Sequence, residues 1–203
     1  MTALPFVFRA QILHALPSGG LHWPARDLLC VADLHLGKSD RMARLARDIA
    51  LLAPATVICL GDSFDDLTAA QGLTDPVRDH LTSLMAGRRW IWVLGNHDPG
   101  PLDLGGTHLA EHRNGPLMFR HIAEPGAQGE VSGHYHPKLR LQLRGRSITR
   151  RCLLFDDTRL ILPAYGAYTG GLFCDRPELS GLMGAAAEAI AIGAPPVRLP
   201  MPR

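Results

Sequence analysis

The chain has 203 residues, of which 46% are hydrophobic and 20% charged, and this balance excludes a disordered or coiled-coil protein. The net charge is only +2, so the overall charge does not by itself indicate a nucleic-acid-binding protein. The length fits one domain, which we expect to span residues 1–203. The cysteines show no CxxC spacing, no signal peptide is predicted, and no apolar stretch reaches the ~18 residues of a membrane span. We therefore expect a cytoplasmic protein that does not bind membranes.

The first half of the chain alternates predicted strands with predicted helices. Apolar runs predict strands over residues 6–16, 21–32, 56–60 and 90–94. Apolar residues at helical spacing predict helices over residues 39–52 and 65–86, with Pro76 expected to break or restart the second helix. Strands that alternate with helices in this way build a parallel sheet with helical crossovers. A solvated face of mixed charge is expected for three arginines of the first helix: Arg41, Arg44 and Arg47.

The second half is predicted to be mostly antiparallel β-structure. Short strand-like segments occupy residues 117–121, 130–133, 138–144, 146–155 and 159–162. A helix is predicted over residues 177–192, and the proline-rich residues 193–203 are predicted to form a loose C-terminal tail. The two halves together predict an α/β fold in which two β-sheets pack face to face with helices outside.

Five polar blocks lie along this pattern, and the first three directly follow buried strands. The blocks are Asp33-Leu34-His35, Gly61-Asp62, Gly95-Asn96-His97-Asp98, His121 and Gly133-His134-Tyr135-His136. Ligand sites of α/β sheets lie just beyond the carboxyl ends of the strands, so the blocks predict a site at that edge. A single Asp or His after a strand is more often a turn residue, but chance poorly explains these blocks in this order.

The donor types in these blocks predict a two-metal site. Asp33 and His35, like His134 and His136, are two residues apart, and in extended backbone such side chains point to the same side. Without His97 and Asp98, the blocks offer two carboxylates, one carboxamide and four imidazoles, too many for one tetrahedral zinc ion. They suit two metal ions that share a bridging carboxylate. Oxygen and nitrogen donors without a thiolate favour Mn²⁺ or Fe and leave Zn²⁺ open.

The order DxH, GD, GNHD, H and GHxH over residues 33–136 resembles that of the calcineurin-like metallophosphoesterases. Within this family the sequence is most similar to the PdeM-type endonucleases, the ligase-associated DNA damage response enzymes of bacteria. Four segments carry that second resemblance: GDSFDD at 61–66, RHIAEPG at 120–126, GHYHPK at 133–138 and LPAYGAYTGGL at 162–172. The family resemblance implies a four-layer α/β/β/α sandwich of two mixed β-sheets flanked by helices.

The resemblance also implies two divalent metal ions, with Mn²⁺ expected and Fe or Zn²⁺ as alternatives. The implied ligands of the first ion are Asp33, His35 and His136. Those of the second are Asn96, His121 and His134, and Asp62 is implied to bridge both ions.

Two further residues of the GNHD block have implied catalytic roles. His97 is implied to contact the scissile phosphate or to protonate the leaving oxygen, and Asp98 to hydrogen-bond His97. Among the ligands, His121 has two competitors, because His108 and His112 also precede the GHxH block. We favour His121 because it follows an apolar strand, as other ligand blocks do.

A basic segment directly follows the last polar block. Residues 131–155 contain no acidic residue and six basic ones: Lys138, Arg140, Arg144, Arg146, Arg150 and Arg151. Leucines alternate with polar residues in KLRLQLR, so one face of this strand is predicted to pack inward and the other to show positive charge. Gly145 is predicted to turn the chain into the next strand of a hairpin. We predict that the first four of these basic residues contact nucleic acid. The alternative is that they only solvate an edge strand.

The sequence therefore predicts a metal-dependent hydrolase that cleaves phosphodiester bonds in DNA. The resemblance implies endonuclease action in DNA repair, with DNA ligase and helicase as functional partners. A phosphodiesterase or pyrophosphatase for small nucleotides is the alternative among enzymes, and it would need no basic hairpin. An inactive scaffold with this fold is disfavoured because the ligand set and His97 are intact.

Overall fold

The computed structural model describes residues 2–36, 39–65, 68, 72–97, 100, 103–143, 145–165 and 170–203. The strands are β1 (Leu4–Phe8), β2 (Gln11–Ala15), β3 (Leu21–Trp23), β4 (Leu28–Val31), β5 (Thr56–Leu60), β6 (Arg89–Val93), β7 (Thr107–Leu109), β8 (Glu111–Asn114), β9 (Leu117–Arg120), β10 (Glu130–Ser132), β11 (Lys138–Leu143), β12 (Arg146–Phe155), β13 (Arg159–Ile161), β14 (Glu188–Ala191) and β15 (Val197–Pro200). The helices are α1 (Ser39–Leu52), α2 (Asp75–Met85) and α3 (Pro177–Ser180), with a 3₁₀ turn at Pro24–Arg26. Among the described residues, no helix is long and apolar enough to cross a membrane.

The strands form two mixed β-sheets. The first has the order β1-β2-β3-β4-β5-β6-β7 and is antiparallel from β1 to β4 and parallel from β4 to β7. The second has the order β15-β14-β12-β13-β10-β9-β8, and β11 pairs with β12 outside this path. In the second sheet β10 runs parallel to β13 and β9, while the other pairs are antiparallel. The prediction of two mixed sheets is confirmed.

Alternating side chains along the strands divide the core between the two faces of the first sheet. On β4, Leu28 and Cys30 pack between the sheets in one cluster with Phe119 of β9. Leu29 and Val31, on the opposite face, belong to the cluster that includes α1 and α2. The continuous apolar run of β4 therefore reflects burial on both faces, as its sequence predicts.

A third cluster covers the outer face of the second sheet. Leu154 of β12 and Ala189 of β14 pack there with Leu179 of α3. The resulting order of helix, sheet, sheet and helix is the predicted α/β/β/α sandwich. In the outer layer on this side, the helix spans only Pro177–Ser180.

Two predictions for the C-terminal region are wrong. Residues 177–192 are not one helix, because 188–191 form β14 between β12 and β15. Alanines favour helix, but pairing on both sides outweighs this weak preference. Residues 193–203 are not a loose tail either: 197–200 form the edge strand β15, and Met201 is buried. This strand covers an edge that β14 would otherwise expose.

The N-terminal strands are shorter than the apolar runs predict. Residues 6–16 contain a hairpin that turns at Arg9 and Ala10, whose φ angles of 49° and 60° match a two-residue type I′ turn. Residues 21–32 are divided by the 3₁₀ turn into β3 and β4. Strands β7 and β8 have no counterpart in the sequence-based prediction.

The second predicted helix is shorter than residues 65–86. Helix α2 begins at Asp75, and Pro76 lies in its first turn. Backbone N–H groups of the first turn have no acceptor within the helix, so the helix loses no hydrogen bond by having proline there. Pro76 therefore marks a helix start rather than a break. Much of the preceding part of this prediction, residues 66, 67 and 69–71, lies outside the described residues.

Candidate metal centre

The loops that follow β4 and β5 lie side by side and carry the first polar residues. The amide of His35 donates to the Asp62 carbonyl at 3.0 Å, and the amide of Leu36 donates to the Ser63 carbonyl at 2.8 Å. Because β4 and β5 are parallel, both loops leave the same edge of the sheet. Asp33 and Asp62 are buried at this edge, which is where the sequence pattern predicts a site.

Two groups of buried or half-buried donor side chains gather at this edge. The first contains Asp33, His35 and His136, and the second contains Asp62, His121 and His134. Within each group the donor atoms lie within 4.8 Å of one another. The groups adjoin, since His121 Nδ1 lies 3.9 Å from Asp33 Oδ1. Asn96 joins the second group, with its Oδ1 2.9 Å from His121 Nε2. The structure thus brings all the predicted ligands together.

The chemistry of this donor set fits divalent cations. Carboxylate oxygens and imidazole nitrogens without a thiolate are donors that Mn²⁺, Fe and Zn²⁺ accept. Burial opposes ionisation of Asp62, but hydrogen bonds from the His121 ring and the His97 amide outweigh it and lower the pKa of Asp62 to about 2. Asp62 is therefore negatively charged at neutral pH and available to a cation.

The ring of His121 is held in the tautomer that a metal ligand needs. Its Nδ1 lies 2.8 Å from the Leu60 carbonyl, and a carbonyl can only accept, so Nδ1 carries a proton. Its Nε2 lies 3.3 Å from Asp62 Oδ2, to which it donates when it is protonated, and 3.3 Å from His134 Nδ1. Once that proton is lost, Nε2 offers its lone pair to a cation. Backbone carbonyls orient metal-binding imidazoles in this way.

The two competitors of His121 lie away from the donor groups. His108 stacks on Trp92 with ring centroids 6.3 Å apart, and His112 lies beside Phe119 with centroids 6.5 Å apart. Burial lowers the pKa of both imidazoles. Neither residue belongs to the two donor groups found among the described residues.

The backbone that carries these donors is strained. Left-handed φ angles between 44° and 69° occur at Asp33, His35, Asp62, His134 and His136. Such angles cost a non-glycine residue about 1–3 kcal/mol and cluster at functional sites. The expectation that extended backbone aligns the i, i+2 pairs is therefore wrong. The paired side chains reach the same donor region from left-handed positions.

The sequence profile of the calcineurin-like phosphoesterase family matches residues 27–138, a range that contains all the clustered donors. The chain belongs to this family. The structure of nuclease MPE from Pseudomonas putida matches with a TM-score of 0.81 and 28% sequence identity, over 98% of this chain and 100% of that chain. A search of curated proteins gave no significant match. The family resemblance is therefore confirmed, and the family's use of divalent metal ions agrees with the two donor groups.

Two glycines let the phosphoesterase chain approach its own donor side chains closely. Gly61 has a φ of +70°, and a Cβ there would lie 2.6 Å from His121 Cγ. A Cβ at Gly133 would lie 2.7 Å from Asp33 Oδ2. Real Cβ atoms do not approach neighbours this closely, so any larger residue would displace a donor.

Gly61→Ala is expected to displace the His121 ring and to weaken metal binding as well as folding. Left-handed backbone alone costs alanine about 1–2 kcal/mol, and the clash adds about 1–3 kcal/mol. Gly87→Ala is the matched control, because Gly87 has a φ of +72° but nothing within 4 Å of the added Cβ. Urea unfolding and metal analysis of both variants measure the difference. Equal losses in the two variants would contradict close packing of His121 on Gly61.

His97 lies at the rim of the centre, with its side chain exposed. Its backbone amide donates to Asp62 Oδ1 at 3.0 Å, and its ring centroid lies 6.2 Å from that of His35. The backbone of His97 thus supports a donor while its side chain stays exposed beside His35. Asp98 lies outside the described residues, so its contact with His97 stays a prediction.

Asp65 supports the site in a role that sequence reasoning does not assign. Its Oδ1 lies 2.9 Å from His35 Nδ1. A carboxylate at this position orients the imidazole and raises its basicity as a ligand. The signal in the sequence is the further acidic residue that follows Gly61-Asp62 in GDSFDD.

The prediction that Arg41 lies on a solvated face is wrong. Its side chain is 2% exposed, and its guanidinium donates to the carbonyls of Leu34 and His35 at 3.1 and 2.6 Å. Arg41 therefore fixes the strained loop that carries the first donors. The sequence does not indicate this role, because Arg41 lies among other charged residues of α1 and its inward orientation is seen only in the structure.

The basic hairpin does not present one positive face. Lys138 and Arg140 lie on one face of β11, and Leu141 lies on the other. Leu141 pairs with Ile148, and Arg146, two residues from Ile148, shares that leucine face. The predicted positive face of β11 is present in Lys138 and Arg140, with Leu139 buried on the other face, but the pairing register puts Arg146 of β12 on the leucine face.

Two other basic residues of this segment do not add to an exposed positive face. Arg151 pairs with Lys138, but its guanidinium turns inward and donates to the Ala164 carbonyl at 2.5 Å, and burial lowers its pKa to about 10. Arg150 is exposed and pairs with Leu139, so it lies on the leucine face. Arg144 lies outside the described residues.

Proposed function

We propose that the protein is a two-metal phosphodiesterase that hydrolyses the DNA backbone. The observation that carries the proposal is the pair of adjoining donor groups at one sheet edge. Phosphoester chemistry follows from the family, and the likeness to nuclease MPE supports a nucleic-acid substrate. DNA is the substrate that the resemblance to PdeM-type endonucleases favours.

The proposed metal ligands are the residues of the two groups. One ion would be held by Asp33, His35 and His136. The other would be held by Asn96, His121 and His134, with Asp62 shared between the ions. We propose Mn²⁺ because the donors mix oxygen and nitrogen without a thiolate. When bound, two such ions lower the pKa of a water molecule and offset the negative charge of the phosphate.

The chain's own residues hold this donor set in place. The Leu60 carbonyl fixes the His121 ring, and Asp65 fixes the His35 ring. The amide of His134 donates to Asp33 Oδ2 at 3.0 Å and so anchors that carboxylate. Donors that are already oriented need little rearrangement to bind a cation or to act on a substrate.

His97 is proposed to serve the leaving group. The expelled alkoxide of a nucleotide is a strong base, so it needs a proton or a positive neighbour. The exposed His97 ring lies beside the first donor group and can approach a bound phosphodiester. No covalent intermediate with the chain is needed.

Lys138 and Arg140 are the proposed contacts to the DNA backbone. They follow His136 by two and four residues and share one face of β11. Arg146 lies on the other face and is left out of this surface. Cationic residues beside the reacting centre would attract a polyanionic strand.

Hydrolysis by metal-stripped protein tests this function. The stripped protein would receive Mn²⁺, Mg²⁺ or Zn²⁺ and act on supercoiled plasmid, single-stranded DNA and bis-p-nitrophenyl phosphate. We expect Mn²⁺ to restore the most activity and DNA to be cleaved, with nicked plasmid indicating endonuclease action. Hydrolysis of bis-p-nitrophenyl phosphate and small nucleotides without DNA cleavage would indicate a small-molecule phosphodiesterase instead. Inactivity with every metal would indicate a scaffold.

The resemblance to ligase-associated endonucleases suggests the wider context. We propose a role in DNA repair, in the cytoplasm, alongside a DNA ligase and a helicase. Co-purification of these enzymes with the tagged protein after DNA damage would support that role.

A further inference from the structure

A cavity of about 390 Å³ lies beside β11, on the face that carries Lys138 and Arg140. Arg176 and Asp175 also line it, together with Phe173. Three basic residues and one acidic residue therefore line this space. The local charge of the cavity is positive, although the whole chain is nearly neutral.

The aromatic ring of Phe173 contacts two of these basic side chains. Lys138 Nζ lies 4.7 Å and Arg140 Cζ 3.8 Å from the centroid of the Phe173 ring. Cation–π contacts at these distances hold a charged group in place without neutralising it. Within the described part of the chain, no carboxylate lies at ion-pair distance from Lys138, Arg140 or Arg176. Like charges held together in this way favour an anion between them.

The cavity wall is joined to the metal centre by backbone hydrogen bonds. The amide of Lys138 donates to the Leu172 carbonyl at 2.9 Å, and the amide of Leu172 donates to the Tyr135 carbonyl at 3.1 Å. Gly171 packs so closely that a Cβ there would lie 2.6 Å from His136 Cβ. Two residues span at most about 7 Å, so Lys138 would lie within reach of a nucleotide adjoining one that is bound at His136.

We propose that this cavity is a subsite for a phosphate of the substrate strand next to the scissile phosphate. Lys138, Arg140 and Arg176 would bind its oxygens, and Asp175 would weaken that binding by repulsion. The proposal rests on the proposed function, because it assumes a substrate with more than one phosphate. It adds a residue, Arg176, that the basic hairpin does not contain.

If the subsite binds a phosphate, adding a terminal phosphate to a minimal substrate should lower the KM for that substrate. The Mn²⁺-loaded enzyme would be given three substrates, each a deoxydinucleotide with one diester bond. The first has no terminal phosphate, the second has one at its 5′ end, and the third has one at its 3′ end. We expect one of the two terminal phosphates to lower KM by about five-fold, the scale of a partly exposed charge-assisted contact. Arg176→Ala and Lys138→Ala should each remove most of this gain, and Asp175→Asn should enlarge it.

Arg113→Ala is the control, because Arg113 is exposed on β8 at an edge of the second sheet and carries the same charge. It should keep the full gain. The proposal is overturned if neither terminal phosphate lowers KM, or if the gain survives in both Arg176→Ala and Lys138→Ala. Wild-type cleavage of a longer oligonucleotide separates the two proposals, because failure of the subsite leaves that cleavage intact. Absence of such cleavage contradicts the proposed function itself.

Discussion

Asp62→Asn is expected to lose bound metal and to slow hydrolysis by more than about 100-fold. Mutating a residue that only hydrogen-bonds to a metal ligand already lowers metal affinity or activity by up to about 100-fold. Mutating a ligand that bridges two ions should lower them further. Asparagine keeps the size of the side chain and can still accept from the His97 amide, as Asp62 Oδ1 does at 3.0 Å. It carries no charge to share between two dications. Metal content per chain and turnover of bis-p-nitrophenyl phosphate measure the two losses.

Asp157→Asn is the control for the removed charge. Asp157 is exposed in the turn between β12 and β13, away from both donor groups, and its variant should keep metal and activity. Two fully occupied sites in Asp62→Asn would show that Asp62 does not bridge the ions.

His97→Ala is expected to keep both metal ions and to lose about 10²–10⁴-fold in the rate of DNA cleavage. The metal ions stay because the contact of His97 with Asp62 comes from the backbone amide, which alanine retains. The loss should be much smaller for bis-p-nitrophenyl phosphate, because p-nitrophenolate leaves without needing a proton. Single-turnover rates on both substrates, with metal analysis of the same samples, test this expectation.

The pattern of loss across substrates separates two roles of His97. A loss that grows with the basicity of the leaving group indicates proton donation. An equal loss on both substrates would instead assign His97 to phosphate binding. Loss of metal from His97→Ala would contradict both roles, because the ring would then support the donor groups.

The fold is predictable where local sequence and tertiary burial agree. Residues 28–31, 57–60 and 90–93 are continuous apolar runs, and each lies in a strand that is covered on both faces. The alanine-rich residues 185–191 show the opposite case. Their local preference is helical, and only pairing with two strands distant in sequence makes 188–191 a strand.

The candidate site is predictable in composition but not in local geometry. Residue types and order identify the donors, because few side chains bind divalent cations. The left-handed angles at His134 and His136 leave no sign in residue type, since such backbone is held by its surroundings. The buried position of Arg41 likewise depends on where the loop carbonyls of Leu34 and His35 lie.

The faces of the basic hairpin depend on strand register. A shift of one residue would move Arg146 to the face of Lys138 and Arg140. The alternation in KLRLQLR predicts a charged face for β11 but says nothing about how β12 is aligned with it. The pairing of Leu141 with Ile148 supplies that missing information.

Anomalous diffraction from crystals soaked in Mn²⁺ would locate the metal ions. We expect two manganese peaks, one among Asp33, His35 and His136 and one among Asn96, His121 and His134, with Asp62 contacting both. A single peak, or manganese bound away from these side chains, would contradict a two-metal phosphodiesterase built on this sheet edge.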